Sequence, residues 1–194
     1  MSEERRQMMR AFGSEIIDVG HSDFAAAIEK RNELSSIKNH WSPRQFENIE
    51  NVECHRLHTA DEIISQLGDR SFSAFVSGAG TGGTIMGVRK AVCERQLSTQ
   101  MVLVQPAEDS KSHGIQGIND GADFLAKPSL LDRIIKVSTP EAIARAKLFA
   151  QTRGVLIGIS AGANLCAAEK YSRLYKPGGA IVTMLCDRGE RYLS

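Results

Sequence analysis

Phe72-Ser-Ala-Phe-Val-Ser-Gly-Ala-Gly-Thr-Gly-Gly-Thr-Ile-Met-Gly-Val-Arg-Lys90 decides the fold: an apolar strand runs into a glycine-rich turn, and the turn opens a helix. Gly80, Thr81, Gly82, Gly83 and Thr84 bring backbone N–H groups and two hydroxyls to a helix N-terminus. There, orphan donors and the positive end of the helix dipole favour an anion such as phosphate. Three readings compete. Gly78, Gly80 and Gly83 satisfy the dinucleotide spacing G-x-G-x-x-G. Against it, the next strand ends in Gln105-Pro106, and the first acids, Glu108 and Asp109, lie beyond the proline, whereas a ribose needs an acid at the strand end. The two threonines suit a terminal phosphate monoester, whose oxygens accept several hydroxyl and amide bonds at once. In the third reading the glycines serve only tight packing and bind nothing.

Outward from this stretch, helical and strand patterns alternate. A helix capped by Ser2 runs through Met9 and Phe12 to Gly13, Glu15 to Val19 reads as a strand, and Asp23 to Ile37 as a second helix. Residues 39–51 are polar and aperiodic, a crossing between a small unit, 1–48, and a large one, 49–194. Thr59 is placed to cap a helix from Ala60 to Leu67 that Gly68 closes. Further strands are expected at Val102 to Gln105, Arg133 to Val137, Val155 to Ile159 and Ala180 to Leu185. Short β-branched runs between helices predict an α/β fold in three layers, with a mostly parallel twisted sheet covered on both faces. The connection from Pro106 to Leu131 is longer than ordinary connectors, the kind that carries function.

Composition excludes several function classes. With 24 basic and 23 acidic residues the net charge is +1, which leaves no electrostatic footprint for nucleic acid or an anionic membrane. The charged start Met1-Ser-Glu-Glu-Arg-Arg6 and the lack of a long apolar run point to a cytoplasmic protein. Cys54, Cys93, Cys166 and Cys186 form no C-x-x-C pair and read as reduced, mostly buried thiols. No metal site is expected: the five histidines show no H-E-x-x-H, and His55 with His58 reads as a polar helix edge.

The second informative turn is Val155-Leu-Ile-Gly-Ile-Ser-Ala-Gly-Ala-Asn164, a strand ending in small residues that open a helix, with Ser160 as its N-cap. Its plain role is to satisfy backbone donors. Ligands of an open parallel sheet sit beyond the carboxyl ends of strands, however, and both turns lie at such ends. They can share one ligand.

Six motifs in order carry a family resemblance: Met1 to Glu15, Gln45-Phe-Glu-Asn48, Gly80-Thr-Gly-Gly-Thr84, Gly114-Ile-Gln-Gly-Ile118, Gly158-Ile-Ser-Ala-Gly-Ala163 and Asp187-Arg-Gly-Glu-Arg-Tyr-Leu-Ser194. The chain resembles the cysteine synthase (O-acetylserine sulfhydrylase) and cystathionine β-synthase branch of the pyridoxal 5'-phosphate enzymes of the tryptophan synthase β type. The resemblance implies that Gly80, Thr81, Gly82, Gly83 and Thr84 hold the cofactor phosphate and Ser160 meets the pyridine nitrogen. It places Gln45 at the substrate carboxylate and Gly117 where backbone approaches the bound amino acid. A neutral hydroxyl at the ring nitrogen makes the cofactor a weaker electron sink and favours β-elimination over transamination. The implied reaction forms L-cysteine by β-replacement on an O-acetylserine-like amino acid with sulfide or a related sulfur nucleophile, and the implied assembly is a homodimer.

The resemblance also marks what this chain lacks: the Schiff-base lysine and the Thr-Ser-Gly-Asn loop have no counterpart among its residues, so no catalytic residue is assigned. The chain thus reads as a carboxyl-terminal portion of the fold, inactive alone, with apolar surface exposed around Met8, Met9, Phe12, Ile16 and Ile17. Two other classes stay open: a catalytically silent homologue that binds an amino acid, the cofactor or a partner, and a nucleotide-binding domain using the dinucleotide spacing. The nucleophile is not fixed, because Cys186-Asp-Arg-Gly resembles the thiosulfate-using branch and Gly114-Ile-Gln-Gly the sulfide-using one.

Overall fold

The computed structural model describes residues 3–20, 24–109, 114–115, 118 and 125–192. The chain forms two compact units, Met1–Arg44 and Gln45–Ser194. The division falls between Arg44 and Gln45 rather than between 48 and 49, and a local reason is visible: the Asn51 side chain donates to the Gln45 carbonyl at 2.9 Å and so holds that residue to the larger unit.

The first unit contains α1 (Glu3–Ala11) and α2 (Phe24–Ser35). Between them Glu15 to Val19 forms no helix and pairs with no strand among the described residues, so the expected strand is absent. Instead Asp18 turns back to ion-pair with Arg6 and to accept from the Gly20 amide. Met8, Phe12 and Ile17 are exposed, Phe12 at 83%.

The second unit is built on a parallel sheet of four strands in the order β3-β2-β1-β4: β1 Phe72–Gly78, β2 Gln100–Pro106, β3 Arg133–Val137 and β4 Ala180–Thr183. Alternation across the pleat sends Phe75, Met101 and Leu103 to one face and Ala74, Val76, Val102 and Val104 to the other, and all seven are buried. That is why β1 and β2 read as continuous apolar runs.

On the first face lie α3 (Glu50–Cys54), a π-helical turn (His55–Thr59), α4 (Ala60–Leu67) and α5 (Gly83–Glu94). Residues 50–67 are thus one unbroken helical run. Thr59 has helical φ and ψ and makes no side-chain cap bond, so the expected cap is corrected: the helix starts nine residues earlier than Thr59, at Glu50. Gly68 does close it, with φ +57°. Ile85, Val88 and Val92 of α5 face the core at helical spacing. Gly83 and Gly87, one turn apart, face α3 instead. A Cβ at Gly87 would stand 2.6 Å from the Val52 carbonyl oxygen and 2.6 Å from the His55 Cβ, so the helices meet only because both positions lack a side chain.

On the other face pack α6 (Thr139–Arg153) and α7 (Ile159–Tyr175). Ser138 caps α6 through a capping box with Glu141. Lys170 and the Ser138 amide together hold the Glu141 carboxyl down to about 2. The expected strand Val155 to Ile159 is not formed: only Ile157 bridges, antiparallel, to Arg188, and α7 begins at Ile159. The run is apolar, but Val155 and Leu156 are 50% and 40% exposed, and no neighbouring strand pairs with it among the described residues. Nor are the cysteines mostly buried: Cys54, Cys93 and Cys186 are exposed, Cys186 in the connection after β4, and Cys166 is half-buried against the core. Among the described residues no helix is long and apolar enough to cross a membrane, and no group of His, Cys, Asp and Glu is placed to hold a metal.

The crossing of α6 on α7 is set by Gly162, where a Cβ would stand 2.2 Å from the Ala142 carbonyl oxygen. Gly162→Ala is expected to lower unfolding stability by about 1–3 kcal/mol in urea titrations. Gly178→Ala, whose Cβ meets nothing within 4 Å, should stay within about 0.5 kcal/mol.

Candidate functional site

The glycine turn lies at the carboxyl end of β1, and its conformation is dictated by close approaches. Gly82, the residue before α5, has φ +91°, a left-handed conformation that glycine adopts without strain. A Cβ there would stand 2.2 Å from the Ala126 backbone nitrogen, and the Leu125 amide donates to the Thr81 carbonyl at 3.0 Å. Residues 125–126 therefore close one side of the turn, and the end of the long connection is part of the site. On another side stands Asn51, whose Oδ1 would be 2.0 Å from a Cβ at Gly83. Packing and anion binding are thus not exclusive explanations of the glycines: Gly82 and Gly83 serve the first, and together they leave the turn's amides at the start of α5, whose first-turn N–H groups lack intrahelical acceptors.

The two threonines are wired from behind. Asn51 Nδ2 donates to Thr81 Oγ1 at 3.0 Å while donating also to the Gln45 carbonyl. The Gly83 amide reaches the same Thr81 oxygen at 3.3 Å. Both lone pairs of that hydroxyl are occupied by donors, so its proton is the part left to give away. Thr84 Oγ1 lies 3.1 Å from His55 Nε2, and His55 Nδ1 lies 2.9 Å from Thr59 Oγ1. Burial pulls the half-buried His55 ring below its ordinary 6.5, so it is neutral at pH 7.

Ser160 is not an N-cap. Gly158 occupies that position in extended conformation, where a Cβ would collide with Asp187 Oδ1 at 1.9 Å, and Ser160 sits inside the first turn of α7, 6% exposed. The Gly158 amide donates to the Asp187 carbonyl at 3.0 Å, and Ser160 Oγ stands 3.5 Å from Asp187 Oδ1, the outer limit of a hydrogen bond. One turn on, on the same face of α7, Asn164 is fully buried. Its Oδ1 accepts from the Gly78 amide at 2.8 Å, and its Nδ2 donates to the Met184 carbonyl at 2.9 Å and approaches Cys186 Sγ at 3.4 Å. Gly78 is the last residue of β1 before the glycine turn. Asn164 therefore holds the start of α7, with Ser160, against the strand end from which the turn springs. Cys186 is exposed as a residue, but its sulfur is turned to Asn164, and burial, with Asp187 adding, pushes the thiol up, so it stays protonated at neutral pH.

Of the residues singled out from sequence, Gly80 to Thr84 follow the carboxyl end of β1, and Ser160 lies in the first turn of α7, one turn before Asn164, which binds the Gly78 amide. Gln45 joins them through its carbonyl, by way of Asn51, while the residue itself is exposed. Gly117 lies outside the described residues. Sequence reasoning missed Asn51, His55, Asn164 and Asp187. His55 and Thr59 at i, i+4 and Gly83 and Gly87 at i, i+4 were signals of the wired helix pair; Asn164, an amide amid Ala-Gly-Ala and Leu-Cys-Ala-Ala, was the signal of a buried anchor. Asn164→Ala orphans the Gly78 amide and the Met184 carbonyl and is expected to cost on the order of 3 kcal/mol in chemical unfolding. A loss below about 1 kcal/mol would show that the anchor is dispensable.

Comparison with known proteins places this geometry. Residues 1–187 match the family described as pyridoxal-phosphate dependent enzymes. A cysteine synthase of Staphylococcus aureus is 35% identical over the whole chain, which covers 66% of that protein, and cysteine synthase B of Campylobacter jejuni is 39% identical, with 67% covered. The chain thus spans about two thirds of the length of these curated relatives. The crystal structure of a cysteine synthase from Entamoeba histolytica superposes with a TM-score of 0.88 at 32% identity, covering 100% of this chain and 60% of the other. The chain belongs to the pyridoxal-phosphate dependent enzymes, in their cysteine synthase-like group of tryptophan synthase β-type fold.

Proposed function

We propose that the larger unit holds pyridoxal phosphate between the glycine turn and the start of α7, for β-replacement that forms L-cysteine from an O-acetylserine-like amino acid and sulfide. The observation that carries this reading is the Asn164 bridge, which fixes Ser160 and the Gly78 strand end together. The residues fit the group: the positive φ of Gly82 and the missing Cβ atoms let the backbone of the turn approach a ligand closely, and Thr81 has a hydroxyl proton to donate. Bound there, the cofactor would supply an electron sink for loss of the substrate's β-substituent.

The chain's own residues divide the work. Gly80 to Thr84 bind the phosphate through backbone amides and the Thr81 and Thr84 hydroxyls. Ser160 presents a neutral hydroxyl to the ring nitrogen, and the positive end of α7 around it disfavours a further proton there. Gln45 donates its side-chain amide to the substrate carboxylate. The protonated Cys186 thiol takes no part as a nucleophile.

Among the described residues no lysine is placed as a covalent partner of the cofactor: Lys30, Lys90 and Lys170 are held by Glu33, Glu53 and Glu141, and Lys38, Lys127, Lys136, Lys147 and Lys176 are exposed. These 194 residues alone are therefore expected to bind the cofactor without a covalent bond and to turn over no substrate.

In equilibrium dialysis, pyridoxal phosphate should bind more tightly than pyridoxal. Thr81→Val should weaken the phosphate form by at least about tenfold, the worth of one hydrogen bond to a charged group, and leave pyridoxal unchanged. Borohydride treatment followed by peptide mass analysis should find no single labelled lysine. Equal affinity for the two ligands would refute the phosphate site, and one stoichiometrically labelled lysine would refute the non-covalent reading.

A further inference from the structure

We propose that His55 is a positioning residue for the phosphate site, fixing the direction of the Thr84 hydroxyl by the ring tautomer it adopts. This rests on the reading of the glycine turn as a phosphate cradle and goes beyond it. The neutral imidazole has one N–H donor and one acceptor nitrogen, and here each nitrogen faces a threonine hydroxyl: Thr59 Oγ1 at 2.9 Å on Nδ1, Thr84 Oγ1 at 3.1 Å on Nε2.

Two arrangements satisfy this chain of hydrogen bonds. With the proton on Nδ1, the ring donates to Thr59 and Nε2 accepts the only hydroxyl proton of Thr84. The Thr84 oxygen then presents lone pairs alone to the turn, which repel an anion. With the proton on Nε2, the ring donates to Thr84 Oγ1, Thr59 donates to Nδ1, and the Thr84 proton is released for a phosphate oxygen. Only the second makes Thr84 a donor, as Asn51 and the Gly83 amide already make Thr81 one. Anion binding and the Nε2–H tautomer therefore favour each other.

The local fold supports a dedicated placement. His55 opens the π-helical turn, in which the Ala60 amide reaches the His55 carbonyl, and such widened turns recur at functional positions. Gly87 lets α5 close onto His55, with no room for even a methyl group between them. The charged groups of neighbouring turns are occupied with one another, Glu53 with Arg56 and Lys90, and Arg56 with Glu94. Burial alone shifts the ring, and it favours the neutral form on which the argument depends.

The test uses the full 194-residue chain labelled with ¹⁵N-histidine, His55 being assigned by its loss in His55→Asn. Saturation with pyridoxal phosphate should give the two-bond ¹⁵N–¹H pattern of the Nε2–H tautomer at His55. In dialysis His55→Ala should weaken pyridoxal phosphate about tenfold, with pyridoxal unaffected, and His55→Gln, whose amide N–H₂ can donate to Thr84, should recover most of the loss. In a Thr84→Val background, His55→Ala should have no further effect. An Nδ1–H tautomer at saturation, or a His55→Ala affinity equal to wild type, would overturn the role of His55 alone. Failure of the wild-type chain to prefer pyridoxal phosphate over pyridoxal would instead remove the phosphate reading beneath it. A loss in His55→Ala that His55→Gln does not recover, or that persists without the Thr84 hydroxyl, would assign His55 a packing role and overturn the proposal.

Discussion

The two hydrogen-bonding ends of one buried amide hold the site of this chain together. Asn164 accepts from the last amide of β1 and donates to the carbonyl just beyond β4, so the start of α7 is locked to two adjacent strand ends. A buried amide left unpaired is costly, and this one is paired at both ends, so a small shift of α7 would break two bonds at once. That lock fixes the helix turn that carries Ser160, one turn back on the same face, to the strand end from which the glycine turn starts, two residues beyond Gly78. Parallel pairing of β1 with β4 supplies the frame, and the missing side chain at Gly158 lets Asp187 fold across the entrance to α7.

On the opposite face the constraint is one of volume. Gly83 and Gly87 form a groove on α5 into which Asn51 and His55 fit, and the same two side chains reach Thr81 and Thr84. The glycines that in the proposed reading would bring the turn close to an anion and the glycines that bring a helix close to the turn therefore overlap at Gly83. Close packing and binding are two consequences of one absence of side chains. A dinucleotide fingerprint shares these spacings because it solves the same geometric problem; membership of the pyridoxal-phosphate dependent family favours the monoester reading.

Much of this was legible in the sequence. The Phe72–Gly78 strand, the turn and the helix after it follow from a β-rich apolar run broken by glycines, and β2, β3 and β4 from short runs of the same kind. The failures have physical causes. Val155 to Ile159 has a strand's composition, but strand pairing is a tertiary property, and only Ile157 finds a bridge. Thr59 carries a capping side chain, yet its hydroxyl goes to His55 within an unbroken helical run, so a local preference yielded to a local partner. Ser160 likewise lost the cap to Gly158, where Asp187 leaves room for no Cβ. The wiring behind the threonines was invisible because Asn51 and His55 lie 30 and 29 residues from the hydroxyls they reach.

The central claim is that the turn after β1 and the first turn of α7 grip one ligand. Titrating pyridoxal phosphate into the ¹⁵N-labelled chain and following backbone amides tests it most directly. The account predicts that the amides of Gly80 to Thr84 and those of Ser160 to Ala163 shift together, with a single dissociation constant. Shifts confined to the glycine turn, or two groups titrating with different constants, would contradict it.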